Sequence, residues 1–180
     1  MARTRRAKRY YKKTVWSTRL TNFSGAQSVS AGSQAVIYSN LCQNPAQSND
    51  TVSNKYTVKN IDLQFELSYG LNQSATNDLE NFQYFVMFIP QGYAPTGAPS
   101  AYSTLPFDHP EWIMVHRFIG NPLGDLSTSY PPVHVKSRLA RKLDTGDRII
   151  LLILGQNTST SSVSYTIDYR GLVKYNTKAN

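Results

Sequence analysis

The stretch IDLQFELSY, residues 61–69, leaves the chain little choice of fold. Ile61, Leu63, Phe65, Leu67 and Tyr69 take one face, while Asp62, Gln64, Glu66 and Ser68 take the other. That period of two belongs to a half-buried strand, because a helix of 3.6 residues per turn scatters these apolar groups around its axis. Residues 163–175, VSYTIDYRGLVKY, repeat the pattern with Val163, Tyr165, Ile167, Tyr169, Val173 and Tyr175 in phase. Gly171 interrupts it, and a glycine inside a strand marks a bulge or a close backbone approach.

Two further runs are apolar without alternation, YFVMFI at 84–89 and IILLIL at 149–154. Each is short and bounded by turn residues, so each reads as a strand covered on both faces. The segments TVWSTRLTNF, AVIYSNL, EWIMVHRFI and VHVKSRLARKL add more strands, with a short helix competing at SRLARKL. The total is about eight strands and no long helix, which predicts an all-β sandwich or jelly roll. Residues 144–147, DTGD, form a tight turn. The connections 91–110 and 120–132 are long and rich in Pro, Gly, Ser and Tyr. Such loops are commonly functional, and Tyr93, Tyr102 and Tyr130 in them are expected to serve protein contacts.

Charge divides the chain. Residues 1–19 hold eight basic residues (Arg3, Arg5, Arg6, Lys8, Arg9, Lys12, Lys13 and Arg19) and no acid. Residues 20–180 hold eleven basic and eleven acidic residues, so the net +8 belongs to the first nineteen. A block this cationic repels itself and does not fold alone. The expected organisation is a flexible basic arm, 1–19, ahead of one β domain, 20–180. Arginine and lysine neutralise phosphates and release counterions, and Tyr10, Tyr11 and Trp16 supply rings that stack on unpaired bases. The same residues also suit a nuclear import receptor. A weaker basic patch is expected in HVKSRLARK. As a strand it turns His134, Lys136, Arg138 and Lys142 one way and Val133, Val135, Leu139 and Leu143 the other. The preferred reading of that patch is a solvated face; the alternative is a ribbon for nucleic acid or an anionic glycan.

Catalytic parts are missing from the sequence: no GxSxG, HExxH or GxxxxGK[ST] motif occurs. The lone Cys42 excludes an internal disulfide. Asp108, His109 and Glu111 in DHPE have the donor types for a cation, but the plainer reading is a polar loop turning at Pro110. No cofactor, no metal and no enzymatic activity are expected. The basic start lacks the apolar run of a secretory signal. The longest apolar run, six residues, falls far short of the roughly 20 a membrane helix needs.

MARTRRAKRYYKK at the start, YTVKNIDLQFELSYG, SRLARKLDTGDRIILLILGQN and the terminal YTIDYRGLVKYN together resemble the capsid proteins of circular Rep-encoding single-stranded DNA viruses, the circovirus-like group. The resemblance implies a single jelly roll of two four-stranded sheets in a 60-copy, T=1 icosahedral shell. The arm would run inside on a single-stranded DNA genome, in a virion and in the host nucleus, with an unknown cell-surface receptor. It also implies that loops 91–110 and 142–147 approach the five-fold axis, with 70–81 and 120–132 around the other axes. Small RNA satellite virus capsids share this layout, and a basic-tailed cellular nucleic-acid-binding protein or a glycan-binding jelly roll remains in competition.

Overall fold

The computed structural model describes residues 15–44, 56–69, 79–93, 95, 98–120, 129–158 and 164–179. Nine strands occur among them: β1 (Ser17–Val29), β2 (Gln34–Gln43), β3 (Tyr56–Tyr69), β4 (Leu79–Ile89), β5 (Ile113–Phe118), β6 (Val133–Ser137), β7 (Arg141–Leu143), β8 (Arg148–Asn157) and β9 (Tyr165–Ala179). One sheet runs β1-β9-β3-β6, with β7 also on β3, and the other runs β2-β8-β4-β5. Every pairing is antiparallel. β6 and β7 follow one another along β3 and act as one interrupted strand. The result is the eight-position, two-sheet jelly roll.

Side-chain period explains the layers. Ile61, Leu63, Phe65, Leu67 and Tyr69 of β3 are all buried, and they meet Ile149, Leu151 and Ile153 of β8 in the cluster between the sheets. Across that interior the rings of Phe65 and Tyr84 contact edge to face at 5.4 Å. β8 has no polar side over its apolar run, because Ile150, Leu152 and Leu154 belong to a second cluster on the outer face of its sheet. Residues 98–112 fold over that face in three short helical turns and cover it with Tyr102, Leu105 and Trp112. Tyr102 stacks on Tyr38 of β2 at 4.3 Å.

This corrects the expected role of the tyrosines. Tyr102 and Tyr130 are buried, and only Tyr93, 60% exposed, stays at the surface. The long loop is in part a lid on the core. A second correction concerns 133–143. The ladder breaks after Ser137, so a continuous strand, like a helix, is ruled out, and Leu139 lies 51% exposed instead of facing the core. Gly171 makes no bulge. β9 runs through it in register, and a Cβ there would collide with the Phe23 ring and lie 2.7 Å from the Gln64 carbonyl oxygen.

The connections gather at two ends. At one, the Asp147 carboxylate accepts from Gln91 N–H at 2.9 Å and from Asp144 N–H at 2.8 Å. Its own carbonyl accepts from Asn44 N–H at 2.9 Å, and Gly146, at φ +89°, donates to the Asn44 carbonyl at 2.8 Å. The buried Asp147 carboxylate therefore ties together the chain leaving β4 and β7, and its main-chain carbonyl adds the chain leaving β2. At the other end Asn157 donates to the Val29 carbonyl, and Tyr130 N–H donates to the Leu67 carbonyl. Loop 91–110 thus shares an end with the 144–147 turn, while the described ends of the 120–132 connection lie at the opposite one. Residues 70–78 and 121–128 fall outside the described residues.

Two outcomes follow. Asp147→Ala strands two N–H groups that bonded to a charged acceptor, which should lower unfolding free energy by roughly 2–4 kcal/mol in urea titrations. An unchanged midpoint would contradict the tie. Burial raises the hydroxyl pKa of Tyr69, Tyr84, Tyr130 and Tyr175, and burial with the Tyr38 hydrogen bond pushes Tyr102 up to about 12. The folded state therefore holds these protons more tightly than the unfolded chain, whose tyrosines titrate near 10. Their stabilising contribution is whole below about pH 10 and is lost as pH climbs through the folded values. Tyrosinate absorbance should show these groups ionising late, together with unfolding; a simple titration of all tyrosines at about 10 would contradict their burial.

Candidate nucleic-acid interface

The inward phase of β3 and β9 leaves the opposite phase facing outward, and its lower half is cationic. Register aligns Lys178 of β9, Thr57 of β3 and Lys142 of β7 in one row. A second row holds Lys174, Asp62 and Lys136. Between them Lys59 of β3 opposes Asn176 of β9, which accepts a hydrogen bond from Thr18 of β1 at 3.2 Å. Five lysines from four strands therefore occupy one surface.

Lys59 reaches it through a bulge. Strict alternation back from Ile61 places Lys59 inward, beside the core. Instead the β3–β9 register shifts between Lys59 and Asp62, and Asn60 adopts φ +55°. Asparagine tolerates that left-handed conformation better than most residues. The extra residue flips the phase, so Val58 and Ile61 both enter the core and Lys59 turns out.

Of the acids on this face, Asp62 and Glu66 have partners, and the exposed Asp168 lies at the far end of β9 from Lys174 and Lys178. Asp62 sits 2.7 Å from His134 Nε2 and 4.0 Å from Lys136 Nζ. Lys136 is 69% exposed, so its pairing is weak. Glu66 pairs with Arg170 farther along the face. Beyond the second row, a groove of about 550 Å³ runs past Asn22, Gln64, His134, Arg170 and Leu172.

Trp16 also lies here: Lys59 Nζ stands 3.8 Å from its ring centre, a cation–π contact. Arg3, Arg5, Arg6, Lys8, Arg9, Tyr10, Tyr11, Lys12 and Lys13 lie outside the described residues, which begin at Val15. The boundary placed after residue 19 falls within β1, which starts at Ser17. Arg19 shares the phase of Tyr175, whose hydroxyl meets Cys42 of the other sheet, so Arg19 projects from the opposite side of β1. In the secondary patch, His134, Lys136 and Lys142 face outward as a group, whereas Arg138 sits in the exposed break between β6 and β7. The sequence reading missed Lys59, Lys174 and Lys178. The last two were available from the β9 alternation, opposite Val173 and Tyr175; Lys59 was hidden by the bulge.

The remaining candidates are occupied structurally. His109 Nδ1 lies 3.2 Å from Glu111 Oε1, and its ring stacks on Trp112 at 3.7 Å. His116 stacks on Phe85 and bonds Gln83. No group of three or more potential metal ligands occurs among the described residues.

A ring under an ammonium group on a cationic face makes a local probe. Iodide should quench the Trp16 fluorescence, taken as wild type minus Trp16→Phe, more strongly than caesium, and added NaCl should shrink the difference. Equal quenching by the two ions would contradict the charge assigned to this face.

No protein-family model matches the chain, and no curated protein matches it. Among solved structures it is similar to the 60-mer capsid protein of beak and feather disease virus, a circovirus, with 9% identity and a TM-score of 0.42 over 94% of this chain and 96% of that one. It is also similar to the VP2 subviral particle of infectious bursal disease virus, with 8% identity and a TM-score of 0.36 over 90% of this chain and 37% of that one. A third is Desmodium yellow mottle tymovirus, with 14% identity and a TM-score of 0.32 over 99% and 97%. The strand order that defines the jelly roll is this chain's own.

Proposed function

We propose that this chain is a structural capsid subunit that self-assembles, through a circovirus-like arrangement, into a small closed shell and packages single-stranded DNA. The observation that carries the reading is the separation of charge. Eight cations and no acid stand in residues 1–19, whereas the charges of residues 20–180 sum to zero. A stretch of that density needs a polyanion.

The mechanism is mass action, with no bond made or broken. Arms hold phosphate without regard to sequence, while sandwich edges and loop tips hold neighbouring copies. β5 pairs with β4 alone among the described strands and carries Phe118, 70% exposed, at an open edge of the kind that recruits partners. In a 60-copy T=1 shell the arms bring roughly 480 positive charges inward, enough to offset a similar number of phosphates. The loops around Gln91 and Asp147 would then meet at the five-fold axis. The arm would also serve a nuclear import receptor, placing the protein in the host nucleus and then in the virion.

Size exclusion and negative staining of the purified full chain test this. The expected particle is about 1,200 kDa, sixty times the 20.2 kDa chain. It should enclose nuclease-protected nucleic acid that becomes DNase-sensitive after disruption. RNase sensitivity instead would select an RNA satellite-type capsid. Monomers or dimers under every assembly condition would overturn the shell and favour a basic-tailed cellular nucleic-acid-binding protein.

A further inference from the structure

The arm is one cationic element, and the folded domain carries a second. We propose that the outward face formed by β9, β3, β6 and β7, with Lys59, Lys136, Lys142, Lys174 and Lys178, is a phosphate-binding surface for a single nucleic-acid strand, distinct from the arm. This rests on the nucleic-acid reading of the arm and adds to it a site built from the sandwich.

Four lysines mark corners and one the centre. Lys178 and Lys142 flank Thr57, and Lys174 and Lys136 flank Asp62, so each pair spans two strand spacings, about 10 Å. Lys174 and Lys178 are four residues apart on β9, about 14 Å along it. Lys59 fills the middle of the rectangle. Asp62 is the one carboxylate within these rows, and His134 and Lys136 already engage it; Asp144 follows two residues past Lys142, in the turn.

Several phosphates fit on such a surface, and lysine ammonium groups hold them as point charges without reading bases. The adjoining groove gives the bases of an unpaired strand an apolar floor at Leu172 and amide edges at Asn22 and Gln64. Trp16, held by Lys59, adds an aromatic surface where the arm begins. A neutral domain sum conceals this site, because the balancing acids include Asp108 and Glu111, which lie on the helical segment covering the other sheet.

The test measures binding of a short fluorescent oligothymidylate by the full chain against NaCl concentration. In a variant carrying Lys59→Gln, Lys136→Gln, Lys142→Gln, Lys174→Gln and Lys178→Gln, the slope of log K on log salt should shrink by up to about 3.5, which is ~0.7 per phosphate contact. Affinity at low salt should fall at least tenfold, with the circular dichroism spectrum unchanged. Arg117→Gln, removing an exposed cation from β5 in the other sheet, should leave the slope alone. Should the five-fold variant misfold, Lys174→Gln with Lys178→Gln should still remove about 1.4 of slope.

A folded five-lysine variant with the wild-type slope overturns the proposal. An arm variant (Arg3→Gln, Arg5→Gln, Arg6→Gln) read in parallel separates the two ideas. Loss with the arm variant alone overturns the lysine face and keeps the arm; loss with the lysine variant alone keeps the face and overturns the arm. If the lysine variant loses binding only to phosphatidylserine vesicles, the surface is a membrane site and the proposal fails.

Discussion

β8 has no polar face along its apolar run, and the rest of the molecule is arranged around covering both of its sides. Six consecutive apolar residues cannot be exposed on alternate sides, so one set must meet the opposing sheet and the other must meet something else. The something else is the 98–112 segment, with Tyr102, Leu105 and Trp112 laid across Leu152 and its neighbours. Burying each such side chain is worth about 1.5–3 kcal/mol. Among the described residues the other sheet has no comparable cover. Its outer face is largely polar, with Leu20 and Leu172 as exceptions, and that asymmetry leaves it free to carry charge.

Charge on that free face follows from register more than from composition. Lys142, Lys174 and Lys178 each come from a different stretch of sequence or a different turn of the alternation, and antiparallel pairing puts them together. Mutual repulsion is affordable: two ammonium groups about 10 Å apart in water repel by ~0.4 kcal/mol, less once salt screens them. A sheet can therefore hold five lysines together with little loss of stability and have them ready for an anion. Trp16, one of the first nineteen residues, touches this surface through Lys59.

Much of the fold was legible in the sequence. Alternation in 61–69 named every buried residue of that stretch, and the two unbroken apolar runs announced strands covered twice. What escaped has physical reasons. The bulge at Asn60 reverses the phase behind it, and an asparagine with positive φ leaves no pattern that a period-two count can detect. The break after Ser137 is a tertiary matter, since it lies opposite the β3 bulge, where Ile61 pairs with Ser137 and Val58 with Arg141. Tyr102 and Tyr130 looked like surface residues because loops usually are surface, whereas Tyr102 covers the outer cluster and Tyr130 packs against Tyr69 and Phe82. The lysine face was legible only in pieces: Lys136 and Lys142 stood in the expected patch and Lys174 and Lys178 in the β9 alternation, but only the antiparallel register brings them together around Lys59.

The central idea is that phosphate meets this protein on two connected surfaces, the basic arm and the lysine face it springs from. An electron cryo-microscopy map of purified particles tests it most directly. Strand density should run across the inward-facing β9–β3–β7 surface, with phosphates at hydrogen-bonding distance from Lys59, Lys142 and Lys178. A shell in which that sheet faces outward, or whose interior shows no nucleic acid against it, would contradict the idea.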